Sequence, residues 1–291
     1  MTFLKNNAKV WEIIIVHFNI NSNRRGIKMD ILSLGKDELI NLDPEKVKRM
    51  ITLDELFHIA KTLNNLWFYD WDTLSAGKKG EHAELKSGLC SDKFINLKGI
   101  LKTYPNIRKI VAYHISCIIL DQVKRGMKMP THIVGVPDAA TELGEDVANI
   151  LGVKLALASK SHSGKIMFLT RLADTDILLL IEDVCSKATG IKETIQDAVD
   201  CKSVKMNSII PVEIVYFKRG CLDSFIIEGV EFKIVAALEH QMNEWMPKNA
   251  SNELRLKHPD AEPCPLCKLD VKRRRPKKTE EDWIAITTSQ L

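Results

Sequence analysis

Two adjacent carboxylates, Glu182 and Asp183, follow a run of five aliphatic residues at positions 177–181. The run has the length of a strand that is buried on both faces, and the residues from Ile191 to Val199 have the apolar spacing of a helix, so we predict a strand, a loop and a helix. In open α/β sheets, ligands bind at the carboxyl ends of the strands. The two acids are therefore predicted to lie at the end of a buried strand, where they can reach a ligand.

The loop from Ser186 to Gly190 consists of small and hydroxyl-bearing residues around one lysine. It leads into the N-terminus of the predicted helix, where backbone N–H groups suit a phosphate. Carboxylates repel phosphate, so the neighbouring acids need a different partner, such as the hydroxyl groups of a sugar or a Mg²⁺ ion, held directly or through water. A ribose 5-phosphate would occupy both features at once. The alternative is that Glu182 and Asp183 only cap the following helix.

Strands and helices alternate through the second half of the chain. The predicted strands are residues 132–136, 153–158, 177–181, 207–217 and 231–238. Alternation at this spacing predicts parallel pairing with right-handed crossovers, and hence a doubly wound, mostly parallel α/β sheet flanked by helices. The sequence has no Gly-x-Gly-x-x-Gly after a strand and no Gly-x-x-x-x-Gly-Lys-Ser/Thr, which disfavours a dinucleotide-binding fold and a nucleoside triphosphatase.

The first half of the chain is predicted to contain two helices, at 43–66 and 105–126, and between them a hairpin within 82–96 whose turn is Ser87-Gly88. A capping aspartate and a proline mark the start of the first helix. We divide the chain accordingly into an N-terminal arm at 1–42, a domain at 43–246 in which 43–104 form a small hood, and a C-terminal extension at 247–291.

The extension contains Cys264-Pro-Leu-Cys267, a Cys-x-x-Cys knuckle of the kind that holds Zn²⁺. A zinc site needs four ligands, and the knuckle supplies two. His240, His258 or the same knuckle of a second subunit could complete it. The basic run at 272–278 carries six positive charges, and we predict that it is a solvated tail rather than a nucleic-acid-binding or targeting element.

The composition is that of a soluble globular protein, since 45% of the residues are hydrophobic and 27% are charged. The longest apolar runs are far shorter than a membrane span, so no membrane association is predicted. The seven cysteines are irregularly spaced and no signal peptide is expected, which favours a reducing, cytoplasmic compartment. The positive charge lies mainly near the two ends of the chain, and the mildly acidic remainder argues against nucleic acid as a partner.

Four segments of the chain resemble one family. The buried strand, the two acids and the small hydroxyl-rich loop resemble the ribose-phosphate signature of type I phosphoribosyltransferases. Residues 85–96 resemble the N-terminal hood of the orotate phosphoribosyltransferases, with a Lys-Ser-Gly, a serine three positions on and an aromatic-x-Asn. Phe217-Lys-Arg-Gly220 is similar to the strand end whose arginine holds the orotate carboxylate in that family, and Cys264-Pro-Leu-Cys267 resembles the end of some bacterial members. The resemblance covers about residues 43–268.

The resemblance implies an enzyme of pyrimidine biosynthesis, a Mg²⁺-dependent glycosyltransferase that works as a homodimer. It would transfer the phosphoribosyl group from phosphoribosyl pyrophosphate to orotate, giving orotidine 5′-phosphate and pyrophosphate. The C1–pyrophosphate bond would break through an oxocarbenium-like state, and a nitrogen of the orotate ring would take its place at C1. Preorganised charge and a lid that excludes water would lower the barrier.

The resemblance also implies roles for residues of this chain. Glu182 and Asp183 would hold the ribose hydroxyls and stabilise the developing positive charge. Lys160, with His162 or Lys165, would close over the leaving group from a mobile loop, often onto the neighbouring subunit's site. The other implied substrate contacts are the 5′-phosphate loop Ser186, Lys187, Ala188, Thr189 and Gly190, the pyrophosphate loop at 136–140 with Asp138 and Ala139, the hood residues Lys86, Phe94 and Ile95, and the strand-end Arg219.

Three loops depart from the family's pattern. Ala188 stands where the phosphate loop usually has a glycine, Ala139-Ala140 stands where the pyrophosphate loop commonly has a cationic residue and a glycine, and Ser159-Lys160 stands where the lid usually has an arginine-lysine pair. Lys187 offers a replacement cation. Two alternatives therefore stay open: a phosphoribosyltransferase for another nucleobase, and a non-catalytic relative that binds a nucleotide or phosphoribosyl pyrophosphate.

Overall fold

The computed structural model describes residues 29–137, 139–201 and 204–290, so most of the predicted N-terminal arm lies outside it. The chain folds into two compact units. The first, called here the sheet unit, comprises the described residues up to Ile59 together with Lys98–His240. The second, the small unit, comprises Ala60–Leu97 and the described residues from Gln241 onwards. None of the described helices is long and apolar enough to cross a membrane.

The elements are numbered in chain order. The helices are α1 Lys36–Ile40, α2 Leu53–Thr62, α3 Trp71–Ser75, α4 Leu97–Thr103, α5 Pro105–Lys124, α6 Thr141–Leu151, α7 Thr189–Asp200, α8 Asn252–Lys257, α9 Pro265–Lys268 and α10 Glu280–Thr288, with 3₁₀ turns at Ile31–Ser33, Pro44–Lys46 and Met206–Ser208. The strands are β1 Leu66–Phe68, β2 Glu81–Glu84, β3 Cys90–Ser91, β4 Lys93–Ile95, β5 His132–Gly135, β6 Lys154–Leu155, β7 Ala158–Lys160, β8 Ile166–Phe168, β9 Leu178–Cys185, β10 Ile209–Lys218, β11 Ser224–Ile227, β12 Val230–Glu239 and β13 Lys272–Arg274.

A six-stranded sheet in the order β11-β12-β10-β9-β5-β6 forms the centre of the sheet unit. Strands β12, β10, β9, β5 and β6 run parallel to one another, and the edge strand β11 is antiparallel to β12. Residues 178–181 of β9 are each at most 2% exposed, because neighbouring strands and helices surround them. The structure thus confirms the predicted doubly wound, mostly parallel α/β sheet.

Helices lie on both faces of this sheet. On one face, Ile191 of α7 packs in a core with Leu180 of β9 and Val215 of β10. On the other, His114 of α5 stacks on Tyr216 of β10, with 5.9 Å between the ring centroids. Consecutive residues of a strand point to opposite faces, so Val215 and Tyr216 mark the two layers.

The strand order reverses once along the chain. β5 comes first in the sequence, β6 joins one side of it, and β9, β10 and β12 follow in turn on the other side. The reversal places the carboxyl ends of β5 and β9 at a topological switch point, where open α/β sheets have a ligand-binding crevice. Two loops begin there, one at residue 136 after β5 and one at residue 186 after β9.

The predicted helix at 43–66 is divided. Pro44–Lys46 form a 3₁₀ turn, and the α-helix α2 starts only several residues later. The chain leaves helical geometry between them because Arg49 is anchored there. Its guanidinium binds the carboxylate of Glu55, and its carbonyl oxygen lies 2.7 Å from Nε2 of His114.

The strand boundaries also differ from the prediction. β9 runs on to Cys185, because β10 pairs with it that far, so Glu182 and Asp183 lie inside the strand rather than after it. β6 is shorter than predicted, and the edge strand β11 was not predicted. The extension of β9 matters most for the site, because it fixes both acids on a pleated strand.

The small unit contains a three-stranded sheet, β13-β2-β3, and a strand pair, β1-β4. The predicted turn at Ser87-Gly88 is confirmed, since the amide of Gly88 donates to the carbonyl of Leu85. The hairpin closes with β3, whereas Phe94 belongs to β4, which pairs with β1. The hairpin predicted within 82–96 therefore closes at β3, and the later part of that range pairs with β1 instead.

The basic run at 272–278 is not a solvated tail. Lys272–Arg274 form β13, which pairs in parallel with β2. The guanidinium of Arg274 binds the carboxylates of Glu81 in β2 and Asp282 in α10. The prediction was wrong because these acids lie close to the run only after folding.

Candidate functional site

Two loops adjoin at the switch point. After β5 the chain returns on itself so closely that a Cβ on Gly135 would lie 1.9 Å from the carbonyl oxygen of Ala140. After β9, a Cβ on Gly190 in the first turn of α7 would lie 3.3 Å from Cγ1 of Val136. The missing side chains therefore allow the predicted pyrophosphate loop and the predicted 5′-phosphate loop to meet. The described residues of the first loop are Val136, Pro137, Ala139 and Ala140, and Asp138 lies outside the described residues.

The loop at 186–190 ends in the first turn of α7. Ala188, the residue before the helix, has a left-handed φ of 54° and is 1% exposed. It has no polar side-chain atom to cap the helix, so the first N–H groups of α7 are left for another acceptor. Lys187 beside it is exposed. This arrangement suits an anion at the end of the helix.

The end of β10 holds this loop from the side. The amide of Arg219 donates to the carbonyl of Cys185 at 2.9 Å. A Cβ on Gly220 would lie 2.4 Å from the carbonyl oxygen of Ser186, so the two backbones are in close contact. The positive charge of Arg219 opposes the burial that raises the pKa of both acids in β9. Arg219 is thus placed beside the acidic pair, as well as at the strand end where it was predicted.

The two acids point to opposite faces of the sheet. Glu182 and Asp183 are consecutive residues of β9, and side chains alternate along a strand. Glu182 lies on the α7 face, where its Oε1 atom is 2.7 Å from the position that a Cβ would take on Gly190. The pleat therefore separates two carboxyl groups that are adjacent in the sequence.

Glu182 is paired with a second buried acid. Its carboxyl group, the carboxyl group of Glu213 in β10 and Sγ of Cys185 lie within 4.8 Å of one another. Burial, followed by the charge of Glu213, raises the pKa of Glu182 well above its ordinary range. Burial raises the pKa of Glu213 to about 7. Two carboxylates in one enclosed space do not both ionise near neutral pH, so the pair holds a proton.

Glu213 was not among the predicted site residues. It is fully buried in the middle of the ten-residue strand β10, whose other buried residues are apolar or aromatic up to Phe217. The signal that the sequence offers is a single carboxylate in an otherwise apolar run. That signal shows an acid that needs a partner but does not identify the partner.

Asp183 lies on the α5 face and is 4% exposed. Burial raises its pKa to about 6, although the amides of Val184 and of Asp183 itself donate hydrogen bonds to the carboxylate and Lys98 contributes positive charge. The group therefore changes its protonation close to neutral pH, in the range that suits acid–base or electrostatic catalysis.

We expect the stability of the protein to fall as the pH rises from about 5 to about 8. The folded-state pKa of Glu213 is raised to about 7, so between its ordinary pKa and that value the folded chain binds more protons than the unfolded chain. The stabilisation is complete at acidic pH and is lost as the pH rises through the folded-state pKa. For Glu213 the shift corresponds to about 3 kcal/mol of unfolding free energy, which urea unfolding at several pH values measures.

Glu213→Gln is expected to flatten this pH dependence, because it removes one titrating group and the charge that raises the pKa of Glu182. Glu231→Gln, at an exposed position of β12, is the matched control and should leave the slope unchanged. An unaltered slope in Glu213→Gln would show that the carboxyl pair does not hold a proton in the folded state.

The predicted lid loop is a hairpin, since β7 and β8 pair in antiparallel fashion around it. Nζ of Lys160 lies 3.4 Å from the carboxylate of Glu193, which fixes the base of the hairpin to α7. Lys160, His162 and Lys165 are all exposed. The structure thus presents the three predicted lid side chains to solvent from one hairpin beside α7.

The predicted hood residues lie in the small unit. Lys86 is exposed in the turn after β2. Phe94 is half-buried, with its ring centroid 6.0 Å from that of Trp283. Ile95 is 6% exposed and pairs with Leu66 across the β1–β4 ladder. The side chain of Ile95 therefore packs in the interior of this unit.

The acids of β9 do not fit the direct ligand set of a hydrated Mg²⁺ ion. Mg²⁺ keeps several water molecules and needs accessible carboxylate oxygens. Asp183 is 4% exposed, and Oε2 of Glu182 is enclosed without a hydrogen-bond partner. The third group beside Glu182 is the thiol of Cys185, which is a softer ligand than Mg²⁺ prefers. A direct contact between Mg²⁺ and this acidic pair is therefore not supported.

Comparison with known proteins gives only distant similarities. No family model and no curated protein matches the sequence. UMP synthase of Leishmania donovani has a TM-score of 0.39 and 19% sequence identity, over 72% of this chain and 37% of that one. An orotate phosphoribosyltransferase from Aeropyrum pernix has a TM-score of 0.39 and 13% identity, over 62% of this chain and 91% of that one. An APRTase from Giardia lamblia, in complex with 9-deazaadenine, has a TM-score of 0.38 and 20% identity, over 51% of this chain and 87% of that one. The chain spans little more than a third of the length of the Leishmania protein.

Proposed function

We propose that this chain binds a phosphoribosyl compound at the switch point of its sheet and transfers the phosphoribosyl group from phosphoribosyl pyrophosphate to a nucleobase, with orotate as the first candidate. The observation that carries the proposal is the pair of adjoining loops, at 136–140 and 186–190, at the carboxyl ends of β5 and β9. A ligand with a phosphate at one end and a pyrophosphate at the other suits such a pair, because each loop can hold one group.

The residues of the chain would supply positioning and charge for this reaction. The bond between C1 of the ribose and the pyrophosphate oxygen breaks, and a deprotonated ring nitrogen of orotate forms the new bond to C1. The first N–H groups of α7 would hold the 5′-phosphate, and the carboxylate of Asp183 would stabilise the positive charge that develops on the ribose. Lys160, on the β7–β8 hairpin, would place its positive charge close to the departing pyrophosphate. The acids of β9 would not bind directly the Mg²⁺ that accompanies such a donor, because both are enclosed.

Orotate is favoured by Arg219, because a planar guanidinium suits a carboxylate better than an ammonium does. Arg219 follows β10 directly and lies beside the acids of β9, whose pKa values its charge lowers. Its positive charge would therefore be shared between those acids and the substrate. A nucleobase without a carboxylate is the alternative within the same class of reaction.

A non-catalytic role is the second candidate, and two observations favour it. Ala188 occupies a left-handed conformation where glycine is preferred, which costs roughly 1 kcal/mol, and its methyl group is buried beneath the loop. Burial raises the pKa of both Glu182 and Glu213, which favours the neutral form of at least one of the two carboxyl groups. A chain with these features could bind a nucleotide or phosphoribosyl pyrophosphate without turning it over.

Two measurements separate these candidates. In the first, the protein is mixed with orotate, Mg²⁺ and phosphoribosyl pyrophosphate, and a fall in orotate absorbance that requires every component supports the transferase. In the second, calorimetry with phosphoribosyl pyrophosphate reports binding alone. Binding without turnover of orotate or of any other nucleobase supports the non-catalytic role. Failure to bind either ribose 5-phosphate or phosphoribosyl pyrophosphate overturns both.

Lys187→Ala is expected to weaken the binding of ribose 5-phosphate about fivefold. The lysine is exposed beside the first turn of α7, and an exposed charge pair contributes up to about 1 kcal/mol. Lys233→Ala, at an exposed position of β12, is the matched control. Calorimetry at low ionic strength measures both variants. Equal affinities in the two variants would exclude Lys187 from the phosphate contacts of the loop.

A homodimer in a reducing, cytoplasmic compartment is part of the same proposal. The support for the compartment is that the seven cysteines, all among the described residues, form no disulfide, and four of them are buried. The dimer is suggested by the family resemblance, in which the lid closes onto the neighbouring subunit's site.

A further inference from the structure

Four buried side chains of the small unit point their ligand atoms at one another. His82 lies in β2, Cys90 lies in β3, Cys264 caps α9, and Cys267 lies within α9. Each of the four is at most 7% exposed. One imidazole nitrogen and three Sγ atoms all lie within 4.8 Å of one another. Two segments that are far apart in the sequence thus deliver one nitrogen and three sulfur atoms to a single point.

The distances fit a tetrahedral ion. Nε2 of His82 is 3.5 Å from Sγ of Cys264 and 3.5 Å from Sγ of Cys267, and Sγ of Cys90 is 3.6 Å from Sγ of Cys267. Around a tetrahedral Zn²⁺ with Zn–S of about 2.3 Å and Zn–N of about 2.0 Å, ligand atoms are about 3.5 Å apart for N to S and about 3.8 Å apart for S to S. The observed separations agree with these values to about 0.2 Å, the tolerance expected of a metal site.

We propose that His82, Cys90, Cys264 and Cys267 hold one Zn²⁺ ion in a closed, structural site. The protein fills all four positions of the tetrahedron, so none is open for a substrate or a catalytic water. Three thiolates and an imidazole favour Zn²⁺ over the harder Mg²⁺. The proposal completes the half-site predicted from the Cys-x-x-Cys knuckle with ligands that the sequence did not reveal.

The partners suggested by the sequence are not the ones that the structure brings to the knuckle. His240 belongs to the sheet unit, where its ring packs edge-on against Phe57 with 5.1 Å between the centroids. His258 is buried in the small unit but is not a member of the four-ligand group. His82 and Cys90 take their place because the β2–β3 hairpin carries both side chains to the knuckle.

Backbone groups support the sulfur atoms. The amide of Cys267 donates to Sγ of Cys264 at 3.4 Å, which is the turn geometry of a metal-binding knuckle. The backbone of Lys248 provides a hydrogen bond to Cys267. These donors would offset part of the negative charge that three thiolates bring to a buried site.

A disulfide is the competing explanation for neighbouring thiols. The Sγ atoms of Cys90 and Cys267 are 3.6 Å apart, whereas a disulfide bond is about 2.0 Å long. A bond between these two would also leave the thiol of Cys264 and the imidazole of His82 buried without a common ligand. A single ion can bind all four groups.

The ion would join the two segments of the small unit. β2 and β3 come from Ala60–Leu97, and α9 comes from the segment that begins at Gln241. The core around the cluster is limited, with Trp67 and Trp283 among its larger members. Small folds with limited cores commonly depend on a metal, and the binding free energy of that metal then becomes folding free energy.

The full-length protein, purified without chelator and equilibrated with Zn²⁺, is expected to contain one zinc per chain by elemental mass spectrometry. Co²⁺ in its place should give the visible absorption of a tetrahedral cobalt–thiolate centre. Cys264→Ser is expected to lower the zinc affinity at least tenfold. Cys221→Ser, at an exposed cysteine of the sheet unit, is the matched control and should keep one zinc per chain.

If Cys264→Ser fails to fold, the cobalt spectrum of the unmodified chain still tests the site, because it requires no substitution. A zinc content near zero after equilibration, iron in place of zinc, or full zinc content in both His82→Ala and Cys90→Ser would overturn the proposal. None of these outcomes bears on phosphoribosyl binding, which is assigned to the sheet unit.

Discussion

Asp183→Asn is expected to give a protein that is folded, more stable than the wild type at about pH 8 and roughly 100- to 1,000-fold less active as a transferase. The carboxyl group is 4% exposed, and burial raises its pKa to about 6. Above that pH the wild type carries a desolvated negative charge, which an amide of the same shape does not carry. Because the folded-state pKa is raised, the charge destabilises the fold increasingly as the pH rises, by up to about 3 kcal/mol at about pH 8.

The loss of activity follows from the same charge. In the proposed reaction a positive charge develops on the ribose, and removal of one preorganised stabilising group typically lowers turnover roughly 100- to 1,000-fold. An aspartate that destabilises the fold at neutral pH is expected to be retained for its function, since stability and activity often trade against each other at active sites.

Orotate turnover and urea unfolding at about pH 5 and about pH 8 test the two parts of this prediction. Asp174→Asn, in an exposed ion pair with Lys205, is the matched control and should change neither quantity. Turnover within about twofold of the wild type would remove Asp183 from the mechanism. A variant less stable than the wild type at about pH 8 would show that the ionised carboxylate stabilises the fold.

Gly135→Ala is expected to lower the free energy of unfolding by about 3 kcal/mol and to abolish the binding of phosphoribosyl pyrophosphate. The added methyl group would lie 1.9 Å from the carbonyl oxygen of Ala140 and 2.5 Å from its carbonyl carbon. Both are backbone atoms, which cannot rotate away as a flexible side chain can. The loop at 136–140 would therefore have to move away from β5 and from α7.

Gly35→Ala is the control for this substitution, because its Cβ would meet only the side-chain oxygen of Glu38, at an ordinary contact distance of 3.6 Å. Urea unfolding and calorimetry with phosphoribosyl pyrophosphate are measured for both variants. The free energy of unfolding of Gly135→Ala could instead stay within about 0.5 kcal/mol of the wild type, with unchanged affinity for phosphoribosyl pyrophosphate. That result would show that the loop does not lie so close to Gly135.

The sheet was predictable because its strands are aliphatic runs whose length leaves few alternatives. Such a run can be buried on both faces only in the middle of a covered sheet, and the structure confirms this position for residues 178–181. The end of the strand was not predictable from the same pattern. Pairing with β10 carries β9 past the aliphatic run that ends at Ile181, so Glu182 and Asp183 adopt the pleated geometry of a strand instead of lying in a loop.

The remaining features depend on partners that are distant in the sequence. Glu213 shows in the sequence only as a single acid in an apolar run, and its partner Glu182 lies in the neighbouring strand. The basic run at 272–278 has the composition of a solvated tail, but acids from β2 and α10 bind its Arg274. His82 and Cys90 are separated from the Cys-x-x-Cys knuckle by the Lys98–His240 segment of the sheet unit, so no local spacing could have grouped them.

The interruption of the small unit by the sheet unit also determines when each part can fold during synthesis. β2 and β3 leave the ribosome early, whereas β13, which pairs with β2, lies near the end of the chain. Domains generally fold as units while translation proceeds from the N-terminus. The sheet unit can therefore begin to mature before the small unit is complete, because the small unit must wait until α9 and β13 have been synthesised.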